Sequence, residues 1–241
     1  MPEGPPPGHN GSMSTPVVDG FGRVHRALRL SVTDRCNLRC RYCMPAEGLD
    51  WIPGENVLSD DELVSLATMF ARAGVTELRI TGGEPLVRPR LAELIARMRA
   101  IDGIGEISIT TNGVLLADAI DDLVAAGLDR VNVSIDSLDP ERFAAITRRD
   151  DLDRALDGLA ACERHPGLRP IKVNAVALRG VSEPDVLPLA ELARRSPAGR
   201  ARGDRPRRGP AQRGRPRHGR PRLALHRAPD EHDRRLTPPV R

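Results

Sequence analysis

Three of the chain's four cysteines, Cys36, Cys40 and Cys43, fall within the stretch SVTDRCNLRCRYCMP (31–45), spaced C-x3-C-x2-C. Thiols this close make no disulfide framework for a chain of 241 residues, and metal ligation is the chemistry that suits them. A structural zinc site takes four donors, and no fourth cysteine or histidine stands nearby; His25 lies eleven residues before Cys36. An iron–sulfur cube held by three thiolates keeps one iron open for a further ligand. The spacing therefore favours one open [4Fe–4S] cluster, with a zinc site and three unrelated thiols as the alternatives.

A second candidate is ITGGEPL (80–86). Paired glycines let the backbone approach a ligand closely, so that carbonyls can accept hydrogen bonds from an ammonium. Taken alone, a tight strand-to-helix turn explains it better. Cys162 reads differently: with Leu152, Leu156 and Leu159 it lies on an apolar helix stripe and is expected to be an inert core thiol.

These residues sit in a regular alternation. Runs at 28–32, 75–80, 106–110, 131–135 and 171–178 read as strands. Helical patterns lie between them, at 59–74 with a capping box of Ser59 and Glu62, then at 89–100, 117–127, 151–165 and 183–195. The order βαβα implies a parallel sheet covered by helices, either doubly wound or a (β/α) barrel. Thr110, Ser134, Lys172 and Asn174 fall at or near strand ends, and a barrel assembles its site on the C-terminal rim. Arg29 and Arg79 lie in the first two strands, where a surface ion pair is the plain alternative reading.

Composition sets the boundaries. Residues 1–19 are rich in proline and glycine and are expected to be flexible; residues 20–195 form the folded domain. The segment 196–241 is a basic tail of disordered composition in which no sixth strand can be found. Residues 194–241 carry 16 arginines against 4 acids, whereas residues 1–193 carry 21 basic against 29 acidic residues. The body is thus acidic despite a formal net charge of +4, which leaves no electrostatic footprint for nucleic acid. No signal-peptide pattern and no run of ~18 apolar residues occur, so a cytoplasmic protein with reduced thiols and no membrane partner is expected.

With Tyr42 just before the last cysteine, the C-x3-C-x2-C stretch resembles the signature of radical S-adenosylmethionine enzymes, and ITGGEPL resembles their GGEP motif. Longer stretches narrow this. GRVHRALRLSVTDRCNLRCRYCMP, VTELRITGGEPLVR, ISITTNGVLL, AGLDRVNVSIDSLDPERFAAIT and IKVNAVALRGV resemble, in order over roughly 20–190, the GTP 3′,8-cyclase family of molybdenum cofactor biosynthesis. The resemblance implies a partial (β/α) barrel, incomplete after the fifth strand, and a lyase. In that family an adenosyl radical takes the C3′ hydrogen of GTP, and C3′ then bonds to C8 of guanine.

Carried over residue by residue, the resemblance puts the [4Fe–4S] cluster on Cys36, Cys40 and Cys43. It gives S-adenosylmethionine contacts to Tyr42, Gly83 and Ser134, and GTP contacts to Arg29, Arg79, Thr110 and Lys172. Two arginines and the chain's only lysine would then meet a triphosphate in an otherwise acidic body. It also implies a reducing electron donor, the next enzyme of the pathway as a partner, and a homodimer.

The sequence departs from the family past Lys172. The family's second three-cysteine cluster and terminal Gly-Gly have no counterpart, since no cysteine follows Cys162 and the chain ends TPPVR. The abrupt change near residue 195 reads as a shift of reading frame or a truncation, with a genuine polyanion-binding arm as the alternative. The expectation is a chain that assembles the first cluster and cleaves S-adenosylmethionine without cyclising GTP. Other classes remain open: a radical enzyme for another substrate, a nucleic-acid-binding module acting through the tail, and a zinc-binding structural protein.

Overall fold

The computed structural model describes residues 17–168, 170–195 and 223–227. One all-parallel sheet is built from β1 (Ala27–Ser31), β2 (Glu77–Thr81), β3 (Glu106–Thr111), β4 (Arg130–Ser134), β5 (Lys172–Ala177) and β6 (Leu223–Arg227). Among the described residues six α-helices lie between or after the strands: α1 (Asp60–Arg72), α2 (Leu91–Arg99), α3 (Leu116–Ala125), α4 (Pro140–Thr147), α5 (Leu152–Glu163) and α6 (Val186–Arg195). The strands lie in chain order, β1 to β6. Every crossover therefore steps the same way, and right-handed crossovers then place all helices on one face. This is the winding of a partial (β/α) barrel, as expected, rather than of a doubly wound sheet.

The strands alternate in a way that fits one covered face. Leu78 and Ile80, Ile107 and Ile109, Val131 and Val133, and Val173 and Ala175 are buried in the core with helix residues such as Leu94, Met98, Leu116 and Ile120. Their neighbours along each strand are polar and point the other way: Arg29, Arg79, Ser108 and Thr110, Asn132 and Ser134, Lys172 and Asn174. Parallel strands buried on both faces read as continuous apolar runs. These do not, and their polar face is where a site can form.

The ends of the elements follow local chemistry. The capping box expected for α1 is present, with the Glu62 amide donating to Ser59 Oγ and the Ser59 amide donating to Glu62 Oε2. Helix α4 was not anticipated; Asp139 caps it and Pro140 opens it, a start signal the sequence did contain. Cys162 is fully buried, as expected, and its thiol donates to the Gly158 carbonyl at 3.3 Å.

Two expectations need correction. A sixth strand exists, since Leu223–Arg227 pairs with β5 in register from Val173↔Leu223 to Ala177↔Arg227. Only five residues of alternating character, LALHR, carry its signal between arginines and prolines, too short a run to stand out. The rest of 196–241, and most of 1–19, lies outside the described residues. Second, Lys172 does not reach the C-terminal rim, since it is the first residue of β5; Arg29 and Arg79 are mid-strand, within the first two strands as expected. The register sets their height: Lys172 is opposite Asn132, which is opposite Thr110.

The helix layer is tight where α3 meets α5. A Cβ on Gly158 would stand 2.3 Å from the Gly113 carbonyl oxygen and 2.9 Å from Leu116 Cβ. Gly158→Ala gains roughly 1 kcal/mol of helix propensity. The clash with fixed backbone outweighs that gain, so a lowered urea midpoint is expected.

Asp185, just before α6, accepts hydrogen bonds from the Leu138 amide and the Arg142 guanidinium. Burial alone would raise its carboxyl, but Arg142, the Leu138 amide and the Ser137 hydroxyl outweigh burial and hold it below the ordinary value. A lowered folded pKa gives stability that is present above the unfolded value, near ~3.9, and lost as pH falls through the folded value. Asp185→Asn is therefore expected to lower the urea midpoint at pH 7. The difference from the unaltered chain should close as pH falls below about 4.

Candidate functional site

The cysteines lie on the long connection between β1 and α1. Its first part is clasped by the turn after β2. The Gly83 amide donates to the Thr33 carbonyl and the Glu84 amide to the Arg35 carbonyl, both at 2.7 Å. A Cβ on Gly82 would stand 2.4 Å from the Thr33 oxygen, and one on Gly83 2.3 Å from the Arg35 oxygen. The close approach that the paired glycines permit is thus, on this side, an approach to the chain's own cysteine loop.

The second part is clasped by the end of α4. The Arg39 and Arg41 amides donate to the Thr147 and Ile146 carbonyls, each at 2.9 Å. Arg148, left-handed at φ 56°, reaches back so that its guanidinium donates to the Arg39 carbonyl at 2.8 Å and the Met44 carbonyl at 3.2 Å. Arg39 in turn donates to the Cys36 and Leu38 carbonyls and lies over the Trp51 ring. Leu38 and Met44 are buried beneath the loop.

Cys36 and Cys40 are half-buried against the core, and Cys43 is exposed. Burial raises the Cys36 thiol, and it pushes Cys40 up to about 12 with the negative Asp136 adding to the shift. Cys43 adds to the rise at both Cys36 and Cys40, and Cys36 to that at Cys40, so the three thiols share one electrostatic neighbourhood. Among the described residues no three His, Cys, Asp or Glu side chains gather tightly enough to hold a metal ion. Three thiols on one loop, two of them set against apolar side chains, supply a thiolate donor set of the kind that holds an iron–sulfur group or a metal ion.

Four residues that the sequence reading did not single out complete the surroundings. Glu84 is 1% exposed and ties three segments together. It accepts from Thr111 Oγ1 at 2.6 Å, the Asn112 amide at 2.7 Å and the Leu86 amide at 3.0 Å. Burial raises its carboxyl, and these hydrogen bonds oppose the rise. Asn112 donates from its side chain to Asn37 Oδ1 at 2.7 Å and stands 3.9 Å from Cys36 Sγ. Asp136, also buried, accepts from the Tyr42 hydroxyl at 2.6 Å and from the Val176 amide at 2.8 Å. Arg148 is the fourth. A glutamate inside an apolar turn was the available signal, because a buried carboxylate must be paired.

The other candidates share the polar face of the sheet. Arg29 and Arg79 are exposed register partners on β1 and β2, and Arg79 also meets Glu77 at 3.2 Å. Thr110 is half-buried and is reached by the Asn132 amide group at 3.4 Å. Ser134 ends β4 opposite Asn174, and Lys172 is half-buried opposite Asn132. Tyr42 comes from the loop, with its hydroxyl fixed on Asp136. The structure thus gathers the cysteines, Tyr42 and Gly83 at the strand ends, with Ser134 at the last residue of β4. Arg29, Arg79, Thr110 and Lys172 extend down the face below them.

Residues 30–193 match the family model described as Radical SAM superfamily. A GTP 3′,8-cyclase of Mycobacterium sp. (strain KMS) is 57% identical over 162 residues, covering 67% of this chain and 46% of its own length. One of Lactiplantibacillus plantarum is 47% identical over 171 residues, covering 71% and 51%. The chain spans about half the length of the curated relatives it matches. In fold it is similar to Streptococcus suis SuiB bound to the precursor peptide SuiA, with a TM-score of 0.59 at 19% identity over 75% of this chain and 37% of that one. It is also similar to anSMEcpe with bound AdoMet, with a TM-score of 0.51 at 18% identity over 62% and 42%.

Arg148 supplies side-chain clamps to the loop from a backbone conformation that glycine adopts freely. Arg148→Gly therefore removes the clamp without adding backbone strain. Hydrogen exchange at the Cys43 and Met44 amides is expected to quicken by about tenfold or more, the loss of roughly one hydrogen bond to a charged group, while amides of β3 and β4 keep their protection.

Proposed function

This chain belongs to the radical SAM superfamily, and on that premise we propose that it carries the cluster-bearing half of a GTP 3′,8-cyclase, a lyase of molybdenum cofactor biosynthesis. In this reading Cys36, Cys40 and Cys43 hold one [4Fe–4S] cluster. Tyr42, Gly83 and Ser134 contact S-adenosylmethionine, and Arg29, Arg79, Thr110 and Lys172 contact GTP. When bound, the cluster supplies an electron and S-adenosylmethionine the adenosyl group that accepts a hydrogen atom from the substrate.

The observation that carries the substrate reading is the arginine pair. Arg29 and Arg79 stand directly opposite each other on neighbouring strands. Like charges so placed destabilise a sheet, and among the described residues the ion pair with Glu77 is made by Arg79. A polyanion laid across the pair removes the repulsion, and its phosphate oxygens match the guanidinium fork. The resemblance to GTP 3′,8-cyclases supports a nucleoside triphosphate as that polyanion.

The chain's own residues then divide the work. The Tyr42 hydroxyl, held by Asp136, fixes the loop's last turn against the ends of β4 and β5. The Gly82–Gly83 turn holds the loop's first part, and Thr110 with Lys172 completes the polar face at one height. No cysteine follows Lys172 in the sequence, so a second thiolate-held group is not part of the proposal.

Anaerobic reconstitution tests the reading. Four irons and four sulfides per chain are expected, lost together in Cys36→Ala, Cys40→Ala or Cys43→Ala, and a colourless chain loaded with zinc overturns the cluster assignment. With a strong reductant and S-adenosylmethionine, 5′-deoxyadenosine is expected without cyclised GTP. Equilibrium binding tests the substrate separately. Arg79→Ala should weaken GTP by about tenfold or more, consistent with one charge-assisted contact. Unchanged GTP affinity in both Arg29→Ala and Arg79→Ala would sink the arginine-pair argument.

A further inference from the structure

We propose that Asn112 is a positioning residue of the cysteine site: its side-chain amide donates a hydrogen bond to the Cys36 sulfur and makes a cluster held there easier to reduce. The inference rests on the cluster reading above and adds to it a residue outside the three-cysteine motif.

The amide's orientation is settled by its surroundings. Asn112 Oδ1 accepts from the Val114 amide at 3.1 Å, closing a local turn, so the oxygen faces its own chain and the NH2 faces the cysteine loop. One N–H of that group meets Asn37 Oδ1 at 2.7 Å. The other is left for Cys36 Sγ, 3.9 Å away, within reach of a bond to a large sulfur acceptor.

The backbone is equally fixed. The Asn112 amide donates to Glu84 Oε2, while Thr111 Oγ1 both donates to Glu84 Oε1 and accepts from the Gly113 amide. Asn112 thus cannot turn away without breaking a buried carboxylate's bonds. Glu84, 1% exposed, in turn donates its backbone amide to Arg35, next to Cys36. The donor and its target are anchored to the same side chain.

The electrostatic sense follows. Cys36 is half-buried, and both Glu84 and Cys43 oppose negative charge on it. A reduced cluster is more negative than an oxidised one, so an N–H aimed at one of its sulfurs stabilises the reduced form more. Without that donor, the balance moves back towards the oxidised form.

Two variants separate the donor from the fold. Asn112→Asp keeps an oxygen for the Val114 amide but has no N–H to give; Asn112→Leu removes the donor without adding charge. The measurements are a reductive titration followed by electron paramagnetic resonance, and deuteron hyperfine spectra of the reduced cluster after exchange into D2O. Both variants are expected to hold the full iron content. In both, the reduced-to-oxidised ratio at fixed poise should fall by about tenfold, which is ~59 mV for a one-electron couple. The nearest exchangeable deuteron should disappear from the spectra of both.

A lowered ratio in Asn112→Asp alone would trace to the new charge and overturn the proposal. So would a deuteron signal that survives in Asn112→Asp, which decides the matter even where Asn112→Leu does not fold. If the unaltered chain binds no iron–sulfur cluster, the cluster reading fails and this inference fails with it. Normal cluster loading with an unshifted ratio overturns this inference alone.

Discussion

A single buried carboxylate holds the site together. Glu84 sits where the turn after β2, the end of β3 and the start of the cysteine loop meet, and it bonds to the first two through Leu86, Thr111 and Asn112. Its backbone amide takes the third, through the Arg35 carbonyl. A carboxylate this deep is costly unless hydrogen-bonded, so the three segments are held in the one arrangement that satisfies it. The glycines before it matter for the same reason: any side chain at Gly82 or Gly83 would push the loop off the turn that Glu84 secures.

The sheet divides its two faces between stability and chemistry. One face packs aliphatic side chains against helices, and with only 2% aromatic residues the core depends on many small, close fits such as Gly158 against Gly113. The other face carries arginines, hydroxyls, amides and Lys172 in register rows across the strands. A parallel sheet can spare a face only if its helices all lie on the other one, and the sequential strand order ensures that.

What the sequence made legible were features with local signatures. The cysteine spacing, the paired glycines, the Ser59–Glu62 cap and the alternation of five strands each depend on residues a few positions apart. What it concealed depends on distant partners. Asp136 becomes meaningful only once Tyr42, 94 positions earlier, is beside it, and Arg148 only once the loop at 39–44 lies under its side chain. The height of Lys172 follows from strand stagger, which no single strand contains. Helix α4 was legible in principle from Asp139–Pro140, whereas β6 had too few residues to announce itself.

The tethers of the cysteine loop are spread along the chain in the order of synthesis. Gly83 and Glu84 come first, then Asn112, then Asp136, then the Ile146 and Thr147 carbonyls with Arg148, and last Val176, which fixes Asp136. Each strand also adds to the edge left by the one before it. The cysteine loop precedes every one of these partners in the chain, so its tethering cannot be complete before Val176 is available. A metal centre placed on its thiols would find the loop fully held only after about 130 further residues had been made.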